Sequence, residues 1–363
     1  DSTPAVVFFG PRVGAFSKHF LFYVKDQQIY YQTIRRPPEG CDGSLRDTTA
    51  CTRWSSPVPV STTHTSGGVH GVAAETFTLD GESMVVLAYQ DSNKDIRWMV
   101  MRYDSSSGYV IEERGGVIDG TAMSSTDMEL EKFGDELWLA YTAYFSGKVR
   151  VKTARLSPSG TWTSAAPALD ASGDTIVADK GIGLASGLST SGPELLLSAA
   201  GRDGTGNSKI ALRRYDTLDG LWHEDASRLP FDQYTTTKPA LAFKPESTHA
   251  NGGWYMMIFR DPPAISPYTA EEVVGISPLV VMTDGQGNFF QFPRAHILNE
   301  WTHLPYSSYK GVTFYVLSSG KVVGVYINDE LKFDGGLTFY HDIPTFLPFA
   351  DGVVTTEARD SDD

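Results

Sequence analysis

The sequence predicts an all-β fold, a six-bladed β-propeller of four-stranded antiparallel blades, on three observations. Helical periodicity is nearly absent, short alternating strands run the length of the chain, and a strand–turn–strand unit recurs about every 55 to 60 residues. The only stretch with helix-like content, Thr269 to Val274, is too short to stand alone.

Three units carry the repeat most clearly. Glu82–Asp91 (ESMVVLAYQD) leads through a turn to Ile96–Asp104 (IRWMVMRYD) and then Gly108–Val110. Glu136–Tyr144 leads to Val149–Leu156 and then to Trp162, and Glu194–Asp203 leads to Ile210–Asp216 and then to Trp222. Two looser units follow the same order. Gly253–Phe259 is joined by Pro278–Asp284 and Gly287–Phe292, and Phe20–Lys25 by Gln28–Ile34 and Arg53–Val60. Gly311–Leu317, Lys321–Ile327 and Gly335–Asp342 supply a sixth.

Inner-strand candidates rich in small residues precede most units: Val69–Ala74, Thr126–Phe133, Gly181–Leu188 and Thr237–Phe243. Small side chains suit strands that crowd an axis. A lone four-stranded sheet cannot bury both faces, whereas a ring of blades covers each sheet with two neighbours and hides most edges. A two-sheet sandwich is the alternative, and a unit recurring six times argues against it. No linker or charge run divides the 363 residues, so 1–352 is read as one propeller domain and the acidic 353–363 as a flexible tail.

Composition limits the partners. Acidic residues number 44 against 30 basic, a formal charge of -14, which speaks against a nucleic-acid backbone and an anionic membrane surface. The longest apolar runs, five to seven residues, fall far short of the roughly 20 needed to span a bilayer. The two cysteines, Cys41 and Cys51, lie ten residues apart in a polar stretch that reads as a hairpin loop. A disulfide stapling that loop fits a secreted protein, as does Asp1 in the place of an initiator Met. Two free thiols in a reducing compartment are the alternative. With no His or Cys beside them they cannot complete a zinc site, and the eight histidines show no close ligand spacing. No metal and no cofactor is expected: nucleotide, P-loop, HExxH and GxSxG motifs are all missing.

The turns after the third strands, Asp104–Tyr109, Ser157–Trp162, Asp216–Trp222 and Asp284–Phe289, resemble degenerate Asp-box turns, which in sialidases and other propellers have a structural role. Ala88-Tyr-Gln-Asp-Ser-Asn-Lys-Asp-Ile-Arg97 and Tyr144-Phe-Ser-Gly-Lys-Val-Arg150 resemble the repeat of fungal fucose-binding propeller lectins. That resemblance implies an inter-blade sugar site made by an Arg opening the second strand, a Glu after the Ile-Arg of the third, and an aromatic. Here the second strands open Ser83-Met-Val, Leu137-Trp-Leu and Leu195-Leu-Leu, and the Glu position reads Trp98, Val151 and Leu212. A multivalent lectin repeats one site around the ring because avidity multiplies weak affinities. Diverged blades point instead to a single axial site. Phe9-Gly-Pro-Arg12 is faintly like the sialidase opening motif, with Gly out of order.

In a propeller, the loops entering the inner strands and those between second and third strands gather around the axial funnel. Arg260 to Ser277 spans 18 residues, far beyond a hairpin loop, and reads as a lid bearing Tyr268 or as a surface insertion. Other loops on that face carry His64 and His70, Asp127, Tyr234, Lys238 and the run Trp301, His303, Tyr306, Tyr309. Aromatics with polar tips grip an organic ligand by stacking and orient it by hydrogen bonds; the same run could instead be packing between the last blade and the first.

A lectin-like propeller without sugar sites resembles the fungal propellers of secondary metabolism that catalyse hetero-Diels–Alder cyclisation. That resemblance implies a cofactor-free enzyme holding a mostly apolar small molecule. Lys238, His303 or Arg260 would be donors to a carbonyl, with Trp301, Tyr268 and Tyr306 as walls. A carbohydrate-binding module is the second reading. A glycosidase of sialidase type is the third, with Asp127, Asp119 and Asp232 as the loop acids it would need. The expected partner is thus a small-molecule ligand or a glycan.

Overall fold

The computed structural model describes residues 5–9, 18–33, 55–62, 64–120, 127–189, 192–202, 208–225, 238–244, 253–260, 277–283, 289–291, 309–316, 322–328 and 337–343. All regular structure among them is β-strand, and no helix among them is long and apolar enough to cross a membrane.

The strands form six antiparallel sheets, each wound in sequence order from its first strand to its last. Sheet one holds β1 (Ala5–Phe9), β2 (Lys18–Lys25), β3 (Gln28–Thr33) and β4 (Val58–Pro59). Sheet two holds β5 (Val69–Leu79), β6 (Glu82–Asp91), β7 (Ile96–Asp104) and β8 (Gly108–Asp119). Sheet three holds β9 (Met128–Phe133), β10 (Glu136–Phe145), β11 (Lys148–Leu156) and β12 (Ala166–Pro167). Sheet four holds β13 (Ile182–Ser189), β14 (Gly192–Arg202), β15 (Ser208–Tyr215) and β16 (Trp222–Glu224). Sheet five holds β17 (Ala240–Lys244), β18 (Gly253–Arg260), β19 (Ser277–Thr283) and β20 (Phe289–Gln291). The described part of sheet six is β21 (Tyr309–Val316), β22 (Val322–Asn328) and β23 (Leu337–Ile343).

The chain divides into two compact units at Ala168/Leu169, with three sheets in each. In the first unit β5 lies beside both β1 and β9; in the second, β17 lies beside β13 and β21. First strands therefore neighbour first strands, as blades sharing an inner edge require.

Sheet two shows why its strands read as continuous apolar runs. Val85, Leu87 and Tyr89 of β6 join a core with Phe9, Phe20 and Phe22 of sheet one, while Val86 and Ala88 join another with Leu137, Leu139 and Tyr141 of sheet three. Both faces are buried, so no polar alternation survives. Each large side chain removed from water stabilises the unit by about 1.5 to 3 kcal/mol.

Tight hairpins fix the registers. Asp80 and Gly81 both take positive φ (51° and 83°) between paired Leu79 and Glu82, and Ser146 and Gly147 do the same (52° and 77°) between Phe145 and Lys148. Two consecutive left-handed residues twist the chain as the flanking strands twist, hence the Asp-Gly and Ser-Gly sequences.

The small-residue expectation for inner strands holds at Gly183. A Cβ there would lie 2.2 Å from the carbonyl oxygen of Pro239 and 2.9 Å from the nitrogen of Leu241, so β13 and β17 approach backbone to backbone. Ser198 clasps the contact by donating to the carbonyls of Pro239 (2.6 Å) and Gly183 (3.3 Å).

Candidate functional site

The sequence candidates fall in both units. In the first, His70 is the second residue of β5 and half-buried, and Asp127 precedes β9. The backbone of Asp127 is tied to Thr142: its carbonyl accepts the Thr142 N–H at 2.8 Å, and its own N–H donates to the Thr142 hydroxyl at 3.0 Å. In the second unit, Lys238 stands two residues before β17 and is 3% exposed. Arg260 ends β18, paired with Ser277, and Tyr309 opens β21, paired with Asn328. Tyr234, Tyr268, Trp301, His303, Tyr306, Asp232, Cys41, Cys51, the Thr269–Val274 stretch and the acidic 353–363 segment lie outside the described residues.

Asp119 is corrected. Read as a loop acid, it is instead the last residue of β8, 8% exposed, and its carboxylate receives the Tyr141 hydroxyl and the Lys152 ammonium at 2.7 Å. A carboxylate engaged by two donors in a buried ion pair holds two sheets together; it is not an open acid.

A tyrosine motif escaped the sequence reading. Leu87-Ala-Tyr89 and Leu139-Ala-Tyr141 place a buried tyrosine on the second strand of consecutive sheets, each opposite a cation on the third strand: Tyr89 opposite Arg97, Tyr141 opposite Lys152. Each hydroxyl donates to a carboxylate of β8, Tyr89 to Glu113 at 3.2 Å and Tyr141 to Asp119. Burial pushes both phenols well above the ordinary range, and the adjacent carboxylates push further. Burial alone would raise Glu113 as well. The Thr62 hydroxyl, the His64 backbone N–H (2.9 Å) and Tyr89 nevertheless hold it below the usual carboxylate range. Glu113 thereby pins the connection that enters β5. The repeated Leu-Ala-Tyr was the available signal.

The positions where the lectin resemblance would put its Glu are core. Trp98 is 6%, Val151 0% and Leu212 1% exposed, and Met84, Leu137 and Leu195 near the second-strand starts are buried too.

Asp216 and Asp219 of the turn before β16, with His223 of β16 itself, bring ligand atoms within 4.8 Å of one another. Those atoms already hold the turn. Asp216 accepts the Leu218 N–H at 2.8 Å, and Asp219 accepts the Leu221 N–H at 2.9 Å and meets the His223 ring at 2.7 Å. The equivalent turn in sheet two is closed by Asp104, whose carboxylate takes the Ser106 and Ser107 hydroxyls and N–H groups and sits far below its ordinary pKa for that reason. Both turns act structurally, as the Asp-box resemblance implies.

The chain has the six-bladed β-propeller fold, and solved structures of that fold are similar to it. It is similar to the fucose-specific lectin from Aleuria aurantia, at 11% identity over 94% of this chain and 91% of that one with a TM-score of 0.53. That lectin is described as a six-bladed β-propeller with a novel fucose recognition mode. The chain is also similar to AofleA from Arthrobotrys oligospora, at 10% identity over 93% and 82% with a TM-score of 0.52. No protein-family profile and no curated protein sequence matches it.

Proposed function

We propose that this propeller binds one mostly apolar small organic molecule and promotes its cofactor-free cyclisation, of the hetero-Diels–Alder type. The observation that carries the reading is the burial of Trp98, Val151 and Leu212. Three aligned sheets have turned the polar position of a repeated sugar site into hydrophobic core. A ring of equivalent sugar sites is thereby lost in those sheets, and a single site is the simpler use of the fold.

In the proposed reaction one C–C and one C–heteroatom bond form inside a single substrate, with no redox partner and no leaving group. The protein has only to hold diene and dienophile in a reactive pose and polarise a carbonyl. Lys238 is the first candidate donor; in so dry a setting its hydrogen bond to developing charge is worth more than in water. His303 and Arg260 are the other donor candidates, and Trp301, Tyr268, Tyr306, Tyr309 and Tyr234 the walls. His70 and Asp127, in the first unit, remain separate candidate ligand contacts and are not counted in that site.

Glycan binding is the second reading, favoured by a specific comparison. A further similar structure, at 12% identity and a TM-score of 0.54, is the Aleuria aurantia lectin in complex with α-methyl-L-fucoside. Secretion, with Cys41 and Cys51 as a disulfide, belongs to both readings. A mass shift on alkylation only after reduction is expected; labelling without reductant would refute the pairing.

The test is native mass spectrometry and thermal-shift profiling of the protein against a fungal metabolite extract and a glycan panel side by side. Retention and conversion of an apolar metabolite, lost in Lys238→Ala and Trp301→Ala, supports the cyclase. Saturable glycan binding without turnover moves the protein to the lectins.

A further inference from the structure

We propose that Glu113 is an acid-released clasp on the connection between sheets one and two, independent of the second-unit site: protonation of its carboxylate frees that connection while the sheets stay folded. The connection runs from β4 to β5, and its two ends are fixed to the first hairpin of sheet one. The Val60 N–H donates to the Ile29 carbonyl at 2.8 Å, and the Val69 N–H donates to the Gln27 carbonyl at 2.8 Å. Between those ends Thr65 is an internal staple. Its hydroxyl receives the Thr62 N–H at 2.8 Å, and its carbonyl receives the Gly68 N–H at 3.2 Å.

On the sheet-two side a carboxylate takes hold of the connection. One oxygen of Glu113, Oε1, receives the Thr62 hydroxyl, the His64 backbone N–H at 2.9 Å and the Tyr89 hydroxyl at 3.2 Å. An oxygen has two lone pairs, so three donors on one atom are held together by its negative charge. Protonation removes that charge, and a hydrogen bond to a neutral acceptor is about half as strong. The bonds to His64 and Thr62 then compete with water, since His64 is exposed and Thr62 half-buried. What Asp119 holds at the next seam is different: the hydroxyl and the ammonium of two strand residues, Tyr141 and Lys152.

The groups around Glu113 fix the direction of the switch. The connection brings His64, whose charge favours the ionised carboxyl. β6 brings Tyr89, and β7 brings Arg97, opposite Tyr89 and held by Asp91 at 2.6 Å and Asp95 at 3.3 Å. Sheet one presents Tyr31 beside apolar Phe20, Phe22, Val24 and Ile29, and β8 adds Tyr109. Glu112 and Arg114, the neighbours of Glu113 along β8, alternate to the opposite face. Lys25 and Asp26 at the sheet-one hairpin tip and Lys94 in the β6–β7 turn are exposed. Burial pushes the Glu113 carboxyl up, but its three donors and His64 outweigh burial and hold it below the ordinary 4.5. A carboxylate lowered in the folded state contributes stability that is full above about pH 4.5 and is lost as the pH falls through its folded value. The clasp is therefore closed at neutral pH and opens in acid.

The test is hydrogen exchange of the full chain read by mass spectrometry from about pH 6 to about pH 2.5, with protection corrected for the pH dependence of the exchange chemistry itself. Peptides covering 60–69 are expected to lose at least about tenfold in protection below about pH 4.5, while peptides of β6 and β10 keep theirs. Glu113→Gln is neutral at every pH and should show the low protection throughout. Thr62→Val takes one donor from the carboxylate, so its opening should move to higher pH, a shift that a merely structural contact would not produce. Thermal melts show whether each variant is folded, and Thr62→Val suffices if Glu113→Gln is not. Three results overturn the proposal: protection at 60–69 that stays constant or falls only together with β6 and β10, parental protection in folded Glu113→Gln, or opening at the parental pH in folded Thr62→Val.

Discussion

Two sheet interfaces, one in each unit, solve the same packing problem in opposite ways. Between β13 and β17 of the second unit, backbone meets backbone at Gly183, and the Ser198 hydroxyl satisfies the carbonyls it touches. Between sheets two and three of the first unit, tryptophans, arginines and an ion pair fill the space, and the Nε of Arg114, the Nε of Arg150 and the Nε1 of Trp162 find no acceptor among the described residues. The first interface is finished by its own chain. The second leaves polar groups uncompensated among the described residues, so its stability rests on the apolar contacts and the ion pair.

Four sets of substitutions sharpen the contrast. The largest effect is expected at the closed interface. Gly183→Val has no room for its Cβ against Pro239 and should destabilise by about 3 kcal/mol or more, read as a drop in the urea midpoint; a cost under about 1 kcal/mol would mean the strands part easily.

Next is Lys152→Met, which strands the buried Asp119 carboxylate and should cost about 3 kcal/mol. The double variant with Asp119→Leu should regain much of that loss, because a buried pair is harder to break than to replace. Failure of the double variant to recover would show that the pair contributes net stability of its own.

The two tyrosines come third. Tyr141→Phe should cost about 2 kcal/mol and Tyr89→Phe about 1, since Glu113 keeps Thr62 and the His64 N–H while Asp119 keeps only Lys152 among the partners described above. Equal losses would remove the distinction.

The last effect is a slope in pH rather than a step. Glu75 on β5 is pushed up to about 7 by burial, against the opposing pull of the Thr76 N–H and of Lys132. Its folded pKa lies above the ordinary 4.5, so the folded state holds the proton more tightly. The stability it contributes is full below about pH 4.5 and is lost as the pH rises through about 7. Glu75→Gln should flatten denaturation midpoints across that window, and an unchanged slope would place the titration elsewhere.

Much of the fold could be read from the chain because its signals are local. Asp80-Gly81 and Ser146-Gly147 announce their hairpins, and runs such as Met84–Tyr89 announce strands buried on both faces. The full length of β8 could not be read in the same way. Beyond Val110 it continues as Ile-Glu-Glu-Arg-Gly-Gly to Asp119, half-exposed and shifted in register near Arg97 and Trp98, so its end looked like a loop. Asp119 was misplaced for that reason. β1 was missed because eight residues separate it from β2, so no short turn sequence marks its end.

The site was less legible still. Leu-Ala-Tyr occurs twice in plain view, but the carboxylates it meets lie 24 and 22 residues away, and only the sheet order brings them together. The apolar residues in place of the lectin's Glu were legible, and their burial gives them their meaning: they are core, not vacant sugar sites.

Native mass spectrometry with α-methyl-L-fucoside, counting equivalents per chain, tests the loss of the repeated site most directly. The buried Trp98, Val151 and Leu212 predict no series of equivalent sites, with at most one weakly held sugar. Several equivalents binding with similar affinity would contradict that account and make the protein a multivalent lectin.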